Sequence, residues 1–281
     1  MYGIVRLLFL IFIVLSGSSA SSQDGFCRLT DKENEIKRVE ISKAKVRKVS
    51  MKIFEYKKKT ECFEEEGRPV QEKVYNEGGY LTEKTSWFIN AGKSELYRYD
   101  NKGRLIEVET QMPKGIFSGK YVYEFNDRGL LINGKQSGKN GKVIMICDYT
   151  YPGDKRTATT RDTTGKMQIR EVVRIVPDSS LEEILTYNRN DELFKTDVYE
   201  FDKQGRMKRW TVRNTAFNQF GITDYQYENG QLTGIRYLDI NEKIKRYRKN
   251  KYDDKNMLIE STMYDPDGTP KNKEVYLYEY Y

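Results

Sequence analysis

The chain has 281 residues, with 49 basic and 42 acidic side chains, three cysteines and no histidine. Its mean hydropathy of −0.79 excludes a helical membrane protein beyond the first segment, and 22 tyrosines argue against disorder, which is usually aromatic-poor. The absence of histidine excludes His-based triads, His-ligated zinc and His-ligated haem.

Residues 1–20 read as a secretory signal. Arg6 is the only charge, and the apolar run from Leu7 to Leu15 is too short to anchor in a bilayer. Ser18 with Ala20, or Ala20 with Ser22, fits the −3 and −1 positions of a cleavage site. Cys27 follows Phe26 rather than a small residue, which argues against a lipid anchor. The expected location is therefore the periplasm, the cell surface or the medium. In that oxidising setting Cys27 could pair with Cys62 and tie down segment 21–45, leaving Cys147 unpaired in a strand. Thr30 to Val46 is charged, and its periodicity fits a short helix or a first edge strand equally. Cleavage leaves 48 basic against 42 acidic residues, spread along the chain. That is a pattern of solvated lysines rather than a nucleic-acid footprint.

From about residue 46 to 281 the chain repeats itself. Tyr75-Asn76-Glu77-Gly78-Gly79-Tyr80-Leu81, Tyr99-Asp100-Asn101-Lys102-Gly103-Arg104-Leu105 and Phe201-Asp202-Lys203-Gln204-Gly205-Arg206-Met207 align, with further copies between and after them. Their turn positions are 79, 103, 129, 153, 179, 205, 230 and 256, spaced 24 to 26 apart. Second turns fall halfway, at Gly92, Gly115, Gly141, Gly165, Asp191, Asn241 and Gly268, with one near 216–218 and another at Gly67. A turn about every twelve residues leaves strands of roughly eight, which is hairpin spacing. Between turns, residues alternate: Tyr121, Tyr123 and Phe125 face one way, and Val122 and Glu124 the other. The predicted fold is all-β: an antiparallel meander of sixteen to eighteen strands, closing as one long curled sheet or a barrel.

The segments at Tyr99-Asp100, Phe201-Asp202 and Tyr252-Asp253 resemble the YD repeat of Rhs-type and wall-associated bacterial proteins. The array is also similar to secreted repeat proteins of Bacteroidota with a porin-like or barrel-like β fold. The resemblance covers roughly 46–281 and implies a β-hairpin repeat. Rhs repeats build a shell around a toxin domain, but the units here are too few to enclose one, so toxin delivery is not implied.

Candidate binding residues are the paired tyrosines Tyr97 and Tyr99, Tyr121 and Tyr123, and Tyr225 and Tyr227, whose rings could stack on sugars or anchor a partner. The simpler reading is that tyrosine forms strands well and covers a sheet face while its hydroxyl stays wet. Asp100, Asp202 and Asp253 recur at one place in the repeat, which is turn chemistry rather than catalysis. Tyr264-Asp265-Pro266-Asp267-Gly268 reads as a turn rather than a calcium loop, because Met263 would occupy the first ligand position. No phosphate loop or nucleophile elbow is present, so no catalytic residue, metal or cofactor is assigned.

The aromatic end of the chain, Tyr276 to Tyr281, suits an outer-membrane barrel. A lipid-facing wall must however stay apolar, and Leu193 to Asp202 has Lys195 and Asp197 on one face and Thr196 and Glu200 on the other. The expectation is an exported, water-soluble, non-catalytic binding or scaffold protein whose partner is an envelope protein or polysaccharide. It predicts no nucleic acid and no membrane insertion after signal cleavage. Two alternatives are an envelope glycan hydrolase using two carboxylates, and an accessory or immunity factor for an exported toxin.

Overall fold

The computed structural model describes residues 37–88, 91–112, 119–153, 155–176 and 180–281. The predicted signal segment, residues 1–20, and Cys27 lie outside them. A short helix, α1 (37–43), comes first. It answers the question left open at the N-terminal segment, and the strand that follows is not an edge. The strands run β1 (Val46–Lys57), β2 (Cys62–Phe63), β3 (Arg68–Tyr75), β4 (Leu81–Phe88), β5 (Ala91–Tyr99), β6 (Leu105–Gln111), β7 (Gly119–Phe125), β8 (Leu131–Ser137), β9 (Val143–Thr150) and β10 (Lys155–Asp162). They continue as β11 (Met167–Val176), β12 (Leu181–Tyr187), β13 (Leu193–Phe201), β14 (Met207–Asn214), β15 (Gln219–Glu228), β16 (Gln231–Leu238), β17 (Ile244–Tyr252), β18 (Leu258–Tyr264) and β19 (Pro270–Tyr280).

From β3 onward each strand pairs antiparallel with the next, and β1 pairs with β3 on one side and β19 on the other. Only the two-residue β2, paired to the end of β1, stands outside this ring, so eighteen of the nineteen strands close a barrel. Closure follows from uniformity. Hairpins of similar length that twist in the same hand curl in one sense until the last strand meets the first. Tyr281 N–H donates to the Lys45 carbonyl at 2.9 Å and finishes the seam.

The repeated motif is a turn written in side chains. The Asp100 carboxylate accepts the backbone N–H groups of Lys102 and Arg104, both at 2.9 Å. Gly103, at φ 76°, supplies the left-handed residue, and Arg104 Nε donates back to Asp100 at 2.7 Å. Asp202 repeats every part of this with Gln204, Gly205 and Arg206. Asx side chains clamp the same loop at Asn76, Asn126, Asp162, Asn188, Asp239 and Asp253. The extra turn residue enters the ladder as a bulge, with Arg98 and Tyr99 opposite Glu107 and Leu105. The arginine then reaches into the next unit: Arg104 lies 4.7 Å over the Phe125 ring, and Arg206 lies 4.4 Å over Tyr227. One residue thus shapes its own turn and couples it to its neighbour.

Most half-turns fall where expected, with positive φ at Gly141, Gly165, Asp191, Asn218 and Gly268. At the Asn241 turn the left-handed residue is Glu242 instead. Gly92 is not a turn residue; it lies inside β5, opposite Trp87, whose indole would stand 3.6 Å from a Cβ placed there. Gly115 and position 179 lie outside the described residues. The copy at Tyr227 is one residue shorter because Asn229-Gly230 makes a two-residue turn, both members at positive φ.

Gly79 carries a second duty. Its φ is 78°, and a Cβ there would sit 2.3 Å from the Arg38 carbonyl oxygen of α1. At Gly129, with φ 80°, the nearest atom to such a Cβ is 3.8 Å away. Gly129→Ala is expected to cost only left-handed strain, about 1–2 kcal/mol. Gly79→Ala should cost clearly more and release α1. Urea melts of both variants, with proteolysis at 37–45, check this.

Candidate ligand-binding wall

Register divides the barrel into two faces. One includes Glu95, Tyr97, Val108, Tyr121, Gln136, Ala158, Val173, Ile184 and Asp197, and holds most of the fully buried side chains. This is the inner wall. The other carries ion pairs around the ring: Lys120–Glu107 at 2.5 Å, Lys135–Glu124 at 2.6 Å, Arg209–Asp224 at 2.6 Å and Lys251–Glu260 at 2.7 Å. Lys195 and Asp197 face inward, so among the charges of β13 only Glu200 faces outward.

All six candidate tyrosines are on the inner wall. Tyr97 and Tyr121 flank Val108 in one row; Tyr99 and Tyr123 lie beside them toward the end where α1 sits. Tyr225 and Tyr227 are on β15, about half the ring away. The structure therefore brings four together and sets two apart.

Their hydroxyls are not simply wet. Tyr99 donates to the Leu81 carbonyl at 2.9 Å, and Tyr151, Tyr252 and Tyr278 do the same to Leu131, Leu232 and Leu258, each twenty residues earlier. This latch ties the end of one strand to the start of the strand before it. Burial pushes the Tyr99 hydroxyl up to about 12, with Tyr80 and Tyr75 adding to the effect. Tyr99 is thus occupied structurally. Tyr97 is buried and donates to Glu95 at 3.2 Å.

Around these rings sits a polar group that sequence reading missed. Across β1, β3, β4, β5, β6 and β7 one row runs Val49, Lys73, Lys84, Glu95, Thr110, Gly119. Lys93 Nζ is 2.7 Å and Lys84 Nζ 3.5 Å from the Glu95 carboxylate. Burial works against the charge of Glu95, but Lys93, Lys84 and Tyr97 outweigh it and hold its pKa below the ordinary value. Lys73 is drawn down to about 8, first by burial, then by Lys84 and by Lys37 of α1. Tyr121 is pushed up to about 12 by burial and by Glu95. The sequence signal was available: once the hairpin register is drawn, three lysines fall on one face of adjacent strands.

Two further inward ion pairs lie on the same wall. Arg248 and Glu274 meet at 2.6 Å with Tyr276 donating to Glu274 at 2.9 Å, and Lys195 meets Asp197 at 2.8 Å. At the rim away from α1, Tyr237, Lys245, Arg246, Met263 and Asp265 line an open recess of about 530 Å³, remote from the tyrosine rows. Cys147 is half-buried on the inner face of β9, beside Leu131, Tyr149 and Ala158. The Pro266-Asp267-Gly268 segment is a tight turn, with Gly268 N–H donating to the Asp265 carbonyl.

No protein-family model matches the chain. Its fold is similar to a porin-like protein from Bacteroides uniformis, at 11% identity and a TM-score of 0.43, covering 84% of this chain and 97% of that one. A porin-like protein from Bacteroides vulgatus matches at 12% identity and a TM-score of 0.37, covering 84% and 98%. More distantly, the TcdB2-TccC3 complex matches at 15% identity and a TM-score of 0.22, over 71% of this chain and 12% of that one.

Proposed function

We propose that the protein is an exported, non-catalytic barrel that binds an envelope ligand on its inner wall. The observation that carries this reading is the segregation of the two faces. Tyrosines and half-buried charges line the inside, while the outside is laced with solvent-facing ion pairs. Charges on that outer face would each cost roughly 2–4 kcal/mol at a bilayer midplane, so the barrel stands in water rather than in lipid. Glu95, Asp197 and Glu274, the inward carboxylates described above, are each clamped by a cation, which suits them to holding a wall together rather than to acting as a general acid.

The test is retention of the mature protein on immobilised envelope polysaccharide. Wild type is expected to be held, Tyr123→Ala at least tenfold more weakly, and the outward Val122→Ala like wild type. No retention, or equal loss in both variants, sinks the reading.

A further inference from the structure

We propose that Lys73 and Lys84, backed by Lys93, form a binding site for the oxyanion group of a ligand: a carboxylate, sulfate or phosphate entering the barrel beneath α1. This deepens the preceding proposal and rests on its reading of the inner wall.

Lys73 and Lys84 are direct cross-strand partners on the same inward face. Like charges in that position repel and destabilise a sheet. Solvent cannot screen them well there, because Lys84 keeps only 14% of its side chain exposed. Across the other side of Lys73 stands Val49, which offers no counter-charge. Lys37 of α1 adds a further positive charge to the same group. The nearby carboxylate, Glu95, is already taken by Lys93, Lys84 and Tyr97. Lys73 therefore has no hydrogen bond or ion pair to any described residue, while two cations face it. Farther along the row Gly119 has no side chain and Thr110 is uncharged, so neither brings a counter-charge to the lysines. A sheet that only needed to fold would be better served by an apolar residue at position 73. A dianion or carboxylate between Lys73 and Lys84 removes the repulsion and gives each ammonium a charge-assisted acceptor. The Lys73 pKa is lowered first by burial, with Lys84 and Lys37 adding to the effect.

The experiment uses the mature protein with its lysines ¹³C-methylated, titrated separately with sulfate, phosphate and glucuronate, and with a neutral oligosaccharide as control. The Lys73 resonance is expected to titrate near pH 8 without anion and to shift upward, saturably, with at least one probe. Lys73→Met and Lys84→Met should each weaken that binding tenfold or more. Unliganded Lys73→Met should melt a few degrees higher than wild type, since it removes the repulsion. Response to glucuronate alone assigns the acid group to a sugar; response to inorganic phosphate or sulfate alone assigns it to a phosphorylated or sulfated ligand. No saturable shift with any anion, or a lower melting temperature for Lys73→Met, overturns the site. If Lys73→Met still binds envelope polysaccharide like wild type, the oxyanion site fails and the inner-wall reading stands. If neither acidic nor neutral ligands bind, both fail.

Discussion

Ending the chain after Gly268 is expected to abolish the folded monomer. β19 pairs with β1 over nine residues and with β18 over five, so its loss opens the ring at two places. In an open repeat array, losing a terminal unit removes one unit and one interface. In a ring it also creates two edges, and the unpaired N–H and C=O groups of β1 and β18 become templates for aggregation. The same cut takes away the Tyr278 latch on Leu258, the Glu274 partner of Arg248 and the Tyr281 bond to Lys45. The combined loss is on the order of the whole net stability of a domain, roughly 5–15 kcal/mol. Size-exclusion chromatography with thermal circular dichroism reads the result: aggregates and no cooperative transition. A circular permutant that joins Tyr281 to Val46 and reopens at Thr60 is the control, and it should fold, because the seam already brings those ends together. A truncated chain that stays monomeric with a sharp transition would show that closure is not what holds the sheet.

The sheet was legible because its signals are local. Turn residues such as Gly103 and Asp191 must adopt positive φ, which few residue types tolerate, and strand residues must alternate. Both constraints repeat along the chain, so register could be drawn from spacing alone. Where spacing misled, a side chain had changed the meaning of a residue. Gly92 marks close cover by Trp87 rather than a turn. The spacing pointed to a curled sheet or a barrel without choosing between them, since pairing between β1 and β19 joins residues more than 200 apart and depends on accumulated twist.

The site was half legible. Alternation correctly put Tyr97, Tyr99, Tyr121 and Tyr123 on one face. It could not say that this face turns inward, or that Tyr99 is committed to the backbone carbonyl of Leu81 on the preceding strand. Lys73, Lys84 and Glu95 escaped notice because each looks like an ordinary surface charge in its own strand. They become unusual only when three strands are laid side by side in register. For the same reason, Lys195 and Asp197 entered the sequence argument as charges adverse to lipid, whereas both face the interior.

Asp197 is the position where a single substitution is expected to cost most. It is 2% exposed and stands between Ile184 and Val212 on the inner wall, so water cannot solvate it. Its carboxylate accepts from Lys195 Nζ at 2.8 Å and from Trp210 Nε1 at 3.1 Å, and the Trp210 ring lies parallel to Tyr199. Asp197→Ala strips the anion from a lysine held on the inner wall and orphans an indole N–H. Breaking one side of a buried pair costs about 3–5 kcal/mol. Asp197→Asn keeps an acceptor for Trp210 and loses only the charge, so its cost should fall to about 1–3 kcal/mol. The double variant Asp197→Leu with Lys195→Met removes both charges and fills the space. It should recover most of the loss, short of the unpaired indole N–H, because apolar replacement of a buried pair is often neutral. Urea unfolding of the three variants decides the matter. A loss below about 1 kcal/mol for Asp197→Ala would mean that water reaches this part of the wall, and that the barrel interior is wetter around β13 than its burial indicates.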